Sequence, residues 1–305
     1  MKKSFPLNFH LKFQKDLPNN SFLTPSKYDK NVIKTNSYNV PCIFQIWIKK
    51  SFQREEMKEE IEKALEVLNE WDGEYAKEKN APTIYNRFLY EFLSGTFKDE
   101  MGTTLYQQFN ETHLMKRVIA DQLLRKESIW WDDINTQAKV ETRKDILTES
   151  LIATIKALEN QFGKDIYTWN WGRVHVIEHQ HPLGSVDLLK GFFNVGPFSI
   201  NGASEVINNL AYKRDSTGIY QVKNGPSTRR IIDFNDLENC WSILPTGQSG
   251  NPFSKHYRDQ ASMYNKGTFR KMKMNQSVSD SLGISYTITH DQIEDFNINN
   301  FRVGK

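Results

Sequence analysis

The chain has 305 residues, enough for one large or two modest domains with an ample hydrophobic core. Apolar residues at 38% and charged residues at 25% exclude a disordered or low-complexity composition, and a net charge of +3 with interspersed signs excludes the electrostatic footprint of a nucleic-acid binder. Aromatic residues reach 12%, which points to a core or cleft built from large flat side chains.

Lys2 and Lys3 imitate the charged start of a signal peptide, but no apolar run of about 7–15 residues follows, so no export signal is read. No segment approaches the roughly 20 apolar residues that span a bilayer. Residues 1–36, interrupted by Pro6, Pro18 and Pro25, read as an irregular lead segment. Residues 37–163 read as helical. In Met57–Trp71 the apolar positions Met57, Ile61, Ala64, Leu65, Leu68 and Trp71 recur at spacings of three and four, one buried helix face. Gly73 follows as a stop. A second helix is expected over Pro82–Leu93, ended by Gly95, and a third over Glu111–Lys126. A fourth starts after Asp132, with Asp133 as its N-cap, and runs through Ile146, Leu147, Leu151, Ile155 and Leu158 to a stop at Gly163.

From 164 to 275 short apolar or alternating runs are separated by Gly, Pro, Asn and Asp. Val174–Glu178, Phe192–Val195, Gly218–Val222, Arg230–Phe234 and Trp241–Leu244 read as strands. The fold class is α+β, a helical first half followed by a β-rich second half, with residues 276–305 a separate tail. Cys42 and Cys240 have no CxxC partner, and free buried cysteines are the default for such a pair.

Four constellations carry residue types of interest. His175, His179 and His181 share one face of a strand and can surround a metal; a strand edge with polar contacts is the default. Leu244–Gln260 (LPTGQSGNPFSKHYRDQ) places Ser249, Ser254, His256 and Asp259, the residue types of a catalytic triad, within one glycine-rich segment. It lacks a GxSxG elbow, and a loop pinned by polar side chains is the plainer reading. Arg229 and Asp233 lie four apart after a Gly225-Pro226 turn, as an ion pair or a carboxylate-binding arginine. Trp130-Trp131 and Trp169-Asn170-Trp171 offer either core packing or a binding platform.

Taken in order, WNWGRVH (Trp169–His175), FNVGPFSINGASEVINN (Phe193–Asn209), GPSTRRIIDF (Gly225–Phe234), the Leu244–Gln260 segment and YNKGTFRKM (Tyr264–Met272) resemble the C-terminal part of the large chain of the penicillin acylase family. LNEWDG (Leu68–Gly73) and WDD (Trp131–Asp133) resemble the helical region before it, so the likeness spans residues 37–275. The motif positions that the resemblance picks out are His175, Arg229, Ser249, Ser254, His256, Tyr257, Asp259 and Gln260. It implies an αββα N-terminal-nucleophile sandwich, here incomplete. It also implies hydrolysis of a linear N-acyl amide to a carboxylic acid and an amine. In the family a newly exposed N-terminal Ser attacks the carbonyl, its own α-amino group acts as base, and an Asn side chain with backbone N–H groups holds the oxyanion.

Neither the nucleophile's segment nor the oxyanion Asn has a match in this sequence, so no catalytic residue is assigned. Lys255 stands where the family loop carries Pro. Self-cleavage before Thr103 or Ser249 is the alternative source of a nucleophile. The expected role is a part of an acylase that needs its upstream chain, or else a non-catalytic subunit completing another acylase chain. The family's calcium has no assignable ligands, and its frequent periplasmic or secreted setting is not matched by a signal peptide here.

Overall fold

The computed structural model describes residues 57–112, 114–204 and 206–272. The expectations for the lead segment, Cys42 and the tail from 276 lie outside the described residues. The long helices precede Gly163 and the strands follow Val174, a mixed helix-and-sheet fold. Among the described residues no helix is long and apolar enough to cross a membrane. The chain divides into two units. One runs to Ser227 and resumes over Leu244–Thr268; the other comprises Thr228–Ile243 and the segment from Phe269 onward.

In the first unit, helix α1 (Lys58–Glu70) buries Ile61, Ala64 and Leu68, the face expected from their spacing. Helix α2 (Ala81–Asn110) opens with Pro82 in its first turn, where no N–H is needed. It does not stop at Gly95. Thr96 and Phe97 are buried and extend the apolar face past it, so packing outweighs the roughly 1 kcal/mol that an interior glycine costs. The break comes instead at Gly102, where φ 68° and ψ 166° divide the element into two helical pieces. Helix α3 (Leu114–Leu124) buries Met115, Ile119 and Leu123.

Helix α4 (Arg143–Phe162) starts later than expected. Asp133 does not cap it; the Asp133 carboxylate accepts from the Asn135 backbone N–H at 3.0 Å and from the Asn135 side-chain amide at 2.9 Å in a local turn. The cap is a Thr142/Asp145 box. The Thr142 hydroxyl accepts from the Asp145 N–H at 3.4 Å, and the Asp145 carboxylate accepts from the Thr142 N–H at 3.0 Å. Partial burial of Asp145 is outweighed by hydrogen bonds from Lys139 and Thr142, which draw its carboxyl down to about 2. Gly163 closes the helix at φ 88°, as read from the sequence. Along the α2–α4 contact, the buried hydroxyls of Thr96, Ser150 and Thr154 each donate to the carbonyl four residues back, at 2.6–2.7 Å.

A four-stranded sheet follows in the order β2-β1-β4-β3, formed by β1 (His175–His179), β2 (Val195–Ser199), β3 (Ala211–Tyr212) and β4 (Tyr220–Asn224). β1 pairs antiparallel with β2 and parallel with β4. The strand expected over Phe192–Val195 is instead the end of a short helix, α5 (Asp187–Phe193), and β2 begins at Val195. Asp187 in the first turn and Lys190 in the last suit the helix dipole. Helix α6 (Ala261–Lys266) buries Ala261 and Tyr264. The second unit is a three-stranded antiparallel sheet, β5 (Arg229–Ile231), β6 (Trp241–Ile243) and β7 (Arg270–Lys271). β5 ends at Ile231, short of the Phe234 expected; Asp233 turns the chain by accepting from the Asn235 N–H at 2.9 Å.

The core of the first unit is aromatic. Trp171 contacts the rings of Tyr75, Tyr212 and Tyr220 at centroid distances of 5.3–5.7 Å, and Phe92 contacts Trp131 at 6.1 Å. Removing the α4 cap with Thr142→Ala is expected to cost about 1 kcal/mol. Thermal unfolding should show a midpoint lowered by roughly 2–4 °C.

Candidate functional site

The triad-like residues lie on the loop between Leu244 and α6. Its two ends are tied together: the Leu244 N–H donates to Gln260 Oε1 at 3.1 Å, and the Gln260 N–H donates to the Thr246 carbonyl at 2.9 Å. Gln260 is buried, so its side chain acts as an internal strut. At Gly247 the two arms of the loop nearly touch. A Cβ there would sit 1.9 Å from the His256 carbonyl oxygen, which only glycine accommodates. The Ser249 N–H donates to that same carbonyl at 3.1 Å.

Both serines serve the backbone. Ser249 Oγ accepts from the Asn251 N–H at 3.1 Å, and Ser254 Oγ accepts from the His256 N–H at 3.2 Å. The His256 ring pairs instead with Asp259, Nδ1 to Oδ2 at 2.9 Å, with side chains 57% and 34% exposed. An ion pair this open is worth little and gives no preorganised field for a developing charge. Among the described residues no hydroxyl donates to the His256 ring. Tyr257 anchors the loop: its hydroxyl donates to the Phe193 carbonyl at 2.5 Å and its ring packs with Val195 and Ala261. Ser249, Ser254, His256, Tyr257, Asp259 and Gln260 are thus brought together as a braced loop without the hydrogen-bonded order of a triad.

The three histidines do not converge. His175 is fully buried, with Nδ1 2.9 Å from the Ile200 carbonyl and Nε2 3.4 Å from the Leu210 carbonyl. Burial pushes its pKa down to about 4, against the two carbonyls that favour the charged form. A register shift between Ile177 and His179 breaks the alternation on which a common face rests. His179 meets the Tyr264 ring edge-on at 6.2 Å, and burial lowers its pKa. His181 caps the next turn, its Nδ1 accepting from the Leu183 N–H at 3.1 Å, and stacks on Phe193. Among the described residues no group of three His, Cys, Asp or Glu side chains can hold a metal ion. The shared-face metal reading therefore fails for the three histidines.

Arg229 lies in β5 opposite Ile243, while Asp233 is beyond the strand end, so the expected shared face is absent. Trp131, Trp169 and Trp171 are buried and Trp130 packs on Phe97, so the tryptophans form core and no platform. Cys240 is a free buried thiol that donates to the Asp233 carbonyl. Thr103 is exposed beside the Gly102 kink. One polar centre escaped sequence reading. Asn86, fully buried, donates to the Pro82 carbonyl at 2.8 Å and accepts from the Tyr212 hydroxyl at 2.6 Å. The available signal was an amide inside the apolar stripe Ile84–Phe88.

Because Gly247 has no room for a side chain, Gly247→Ala is expected to destabilise the chain by about 1–3 kcal/mol. Urea unfolding should show the lower midpoint, and a midpoint equal to wild type would contradict the close approach.

Comparison with known proteins gives a consistent assignment. The model of the family described as Penicillin amidase matches residues 24–280. An acyl-homoserine lactone acylase QuiP from Pseudomonas fluorescens (strain Pf0-1) is 30% identical over 268 residues, covering 81% of this chain and 32% of its own length. The protein of the same name from Pseudomonas aeruginosa is 30% identical over 232 residues, 70% of this chain and 27% of its own. The chain thus spans about a third or less of the length of these curated relatives. A thermostable penicillin G acylase structure from Alcaligenes faecalis aligns over 81% of this chain and 45% of its own with a TM-score of 0.43 and 15% identity, a likeness too partial to fix the fold.

Proposed function

This chain belongs to the penicillin amidase family, and on that premise we propose that it forms part of a linear-amide hydrolase, supplying scaffold while the nucleophile comes from outside this sequence. The substrate class is an N-acyl amide, with acyl-homoserine lactones the first candidates because the relatives carry that name. The products are a carboxylic acid and an amine. In this reading residues 37–275 are one region of an αββα sandwich. Chemistry proceeds by attack of an N-terminal Ser whose own α-amine, with a pKa of about 7.7–8.0, is poised as general base.

The observation that carries the reading is the state of the hydrolase-like side chains. Ser249 and Ser254 accept from their own loop's N–H groups, and His256 pairs with Asp259 in the open. His175 is walled in by carbonyls and rings. None is arranged to attack a carbonyl. A second observation favours a chain that completes a partner. Leu188, Phe192 and Phe253 are 85%, 54% and 83% exposed, and the Phe192 and Phe253 rings lie 6.4 Å apart. Exposed apolar clusters of this kind mark protein-contact surface.

The purified 305-residue chain is expected to show one uncut mass and no turnover of N-phenylacetyl amides or N-acyl-homoserine lactones above the blank. Co-production with the upstream part of a family acylase, bearing its nucleophilic Ser, should yield amide hydrolysis. Turnover by the chain alone that Ser249→Ala or Thr103→Ala abolishes would overturn the proposal.

A further inference from the structure

The segment 181–194 combines a clamped backbone with an apolar outer face. The His181 N–H donates to Asn194 Oδ1 at 3.0 Å, which ties the two ends of the segment together. Gly184 is buried against the same amide, where a Cβ would meet Asn194 Oδ1 at 1.8 Å. The His181 ring stacks on Phe193 at 4.9 Å, and the Phe193 carbonyl accepts from the Tyr257 hydroxyl. Yet α5, held inside this frame, buries none of its residues. Leu183, Val186, Leu188 and Phe192 are all exposed, and Phe253 adds an exposed ring 6.4 Å from that of Phe192. A backbone fixed this firmly, turning five large apolar side chains outward, is shaped for contact.

Three observations say what covers it. The charges around the face are of both signs: Lys255 and Arg258 are exposed together with Asp187 and Asp259, and Lys190 reaches Glu178 at 3.6 Å. That balance suits a protein partner, whereas an anionic bilayer selects clustered Lys and Arg. The segment also runs directly into β2, an outer strand of the four-stranded sheet. Outer strands are commonly covered, and Pro197, which has no N–H, favours cover by packed side chains over a further paired strand. Finally, this chain matches only 27–32% of the length of its acylase relatives, so a large body of the same fold lies outside it.

Resting on the family reading above, we propose that Leu188, Phe192 and Phe253 form the seat on which the remaining, nucleophile-bearing portion of an acylase packs. The probe is the QuiP acylase of Pseudomonas fluorescens (strain Pf0-1) without the stretch that this chain matches, co-produced with the affinity-tagged 305-residue chain. Wild type should retain the probe through purification. Leu188→Ser and Phe253→Ser, both at solvent-facing positions, should each lower the retained amount about tenfold and leave the thermal midpoint of the lone chain unchanged. Ile207→Ser, at an exposed apolar residue between β2 and β3, should retain the probe fully. If Leu188→Ser lowers the midpoint, Phe253→Ser alone decides. Equal retention by wild type and Phe253→Ser overturns the seat and leaves the family reading standing, whereas no retention by wild type overturns both. A lone chain that sediments as a dimer, and as a monomer once Phe253→Ser is introduced, gives the face to a second copy and overturns the seat.

Discussion

The stack of Trp171 on His175, with ring centroids 4.7 Å apart and planes 13° from parallel, is the contact on which the first unit depends. The backbone around it bridges two regions: the Trp171 N–H donates to the Lys79 carbonyl at 2.7 Å and the Gly172 N–H to the Lys77 carbonyl at 2.8 Å. Those bonds dock the lead into α2 against the entry to β1. The ring heteroatoms then reach outward. Trp171 Nε1 donates to the Gly202 carbonyl at 2.9 Å, and the His175 ring spans the Ile200 and Leu210 carbonyls. Gly172 must be glycine, since a Cβ would lie 2.9 Å from Lys77 Cβ and 3.2 Å from Ser199 Cβ. The W-x-W-G-x-x-H run is therefore a packing device, each of its fixed residues spent on a backbone or ring contact.

The same economy governs the Leu244–Gln260 loop. A net hydrogen bond contributes about 1 kcal/mol, but a buried donor left unmade costs more. The loop answers that asymmetry by turning Ser249, Ser254 and Gln260 on its own backbone. Ser249 and Ser254 brace the loop in this way, and among the described residues neither hydroxyl is bonded to the His256 ring. Family membership and framework role are compatible, because a fold of this kind separates the residues that hold it from those that react.

Much of the fold was legible where local physics dominates. Ile61, Ala64 and Leu68 announced α1 by spacing, and Gly163 announced the end of α4. What was not legible was set by tertiary contact. Gly95 reads as a stop until Phe97 is seen buried beyond it, and α5 buries no residue, so it left no periodic signal. The register shift at His179 is invisible in a string of alternating residues. At the candidate site, the order of motifs was readable but the roles were not. That Gly247 faces the His256 carbonyl, nine positions away, is a fact of the folded loop alone.

His175 is a neutral structural pillar of the first unit. Burial holds its pKa near 4 in the folded chain, against about 6.5 when unfolded. Between those values the unfolded state binds the proton and the folded state does not, so stability is fully present above pH 6.5 and lost as pH falls toward 4. The direct measurement is the urea-unfolding free energy of wild type and His175→Gln from pH 7 to pH 4. The wild type should lose on the order of 3 kcal/mol more than the variant over that range. Parallel curves for the two proteins would contradict the claim.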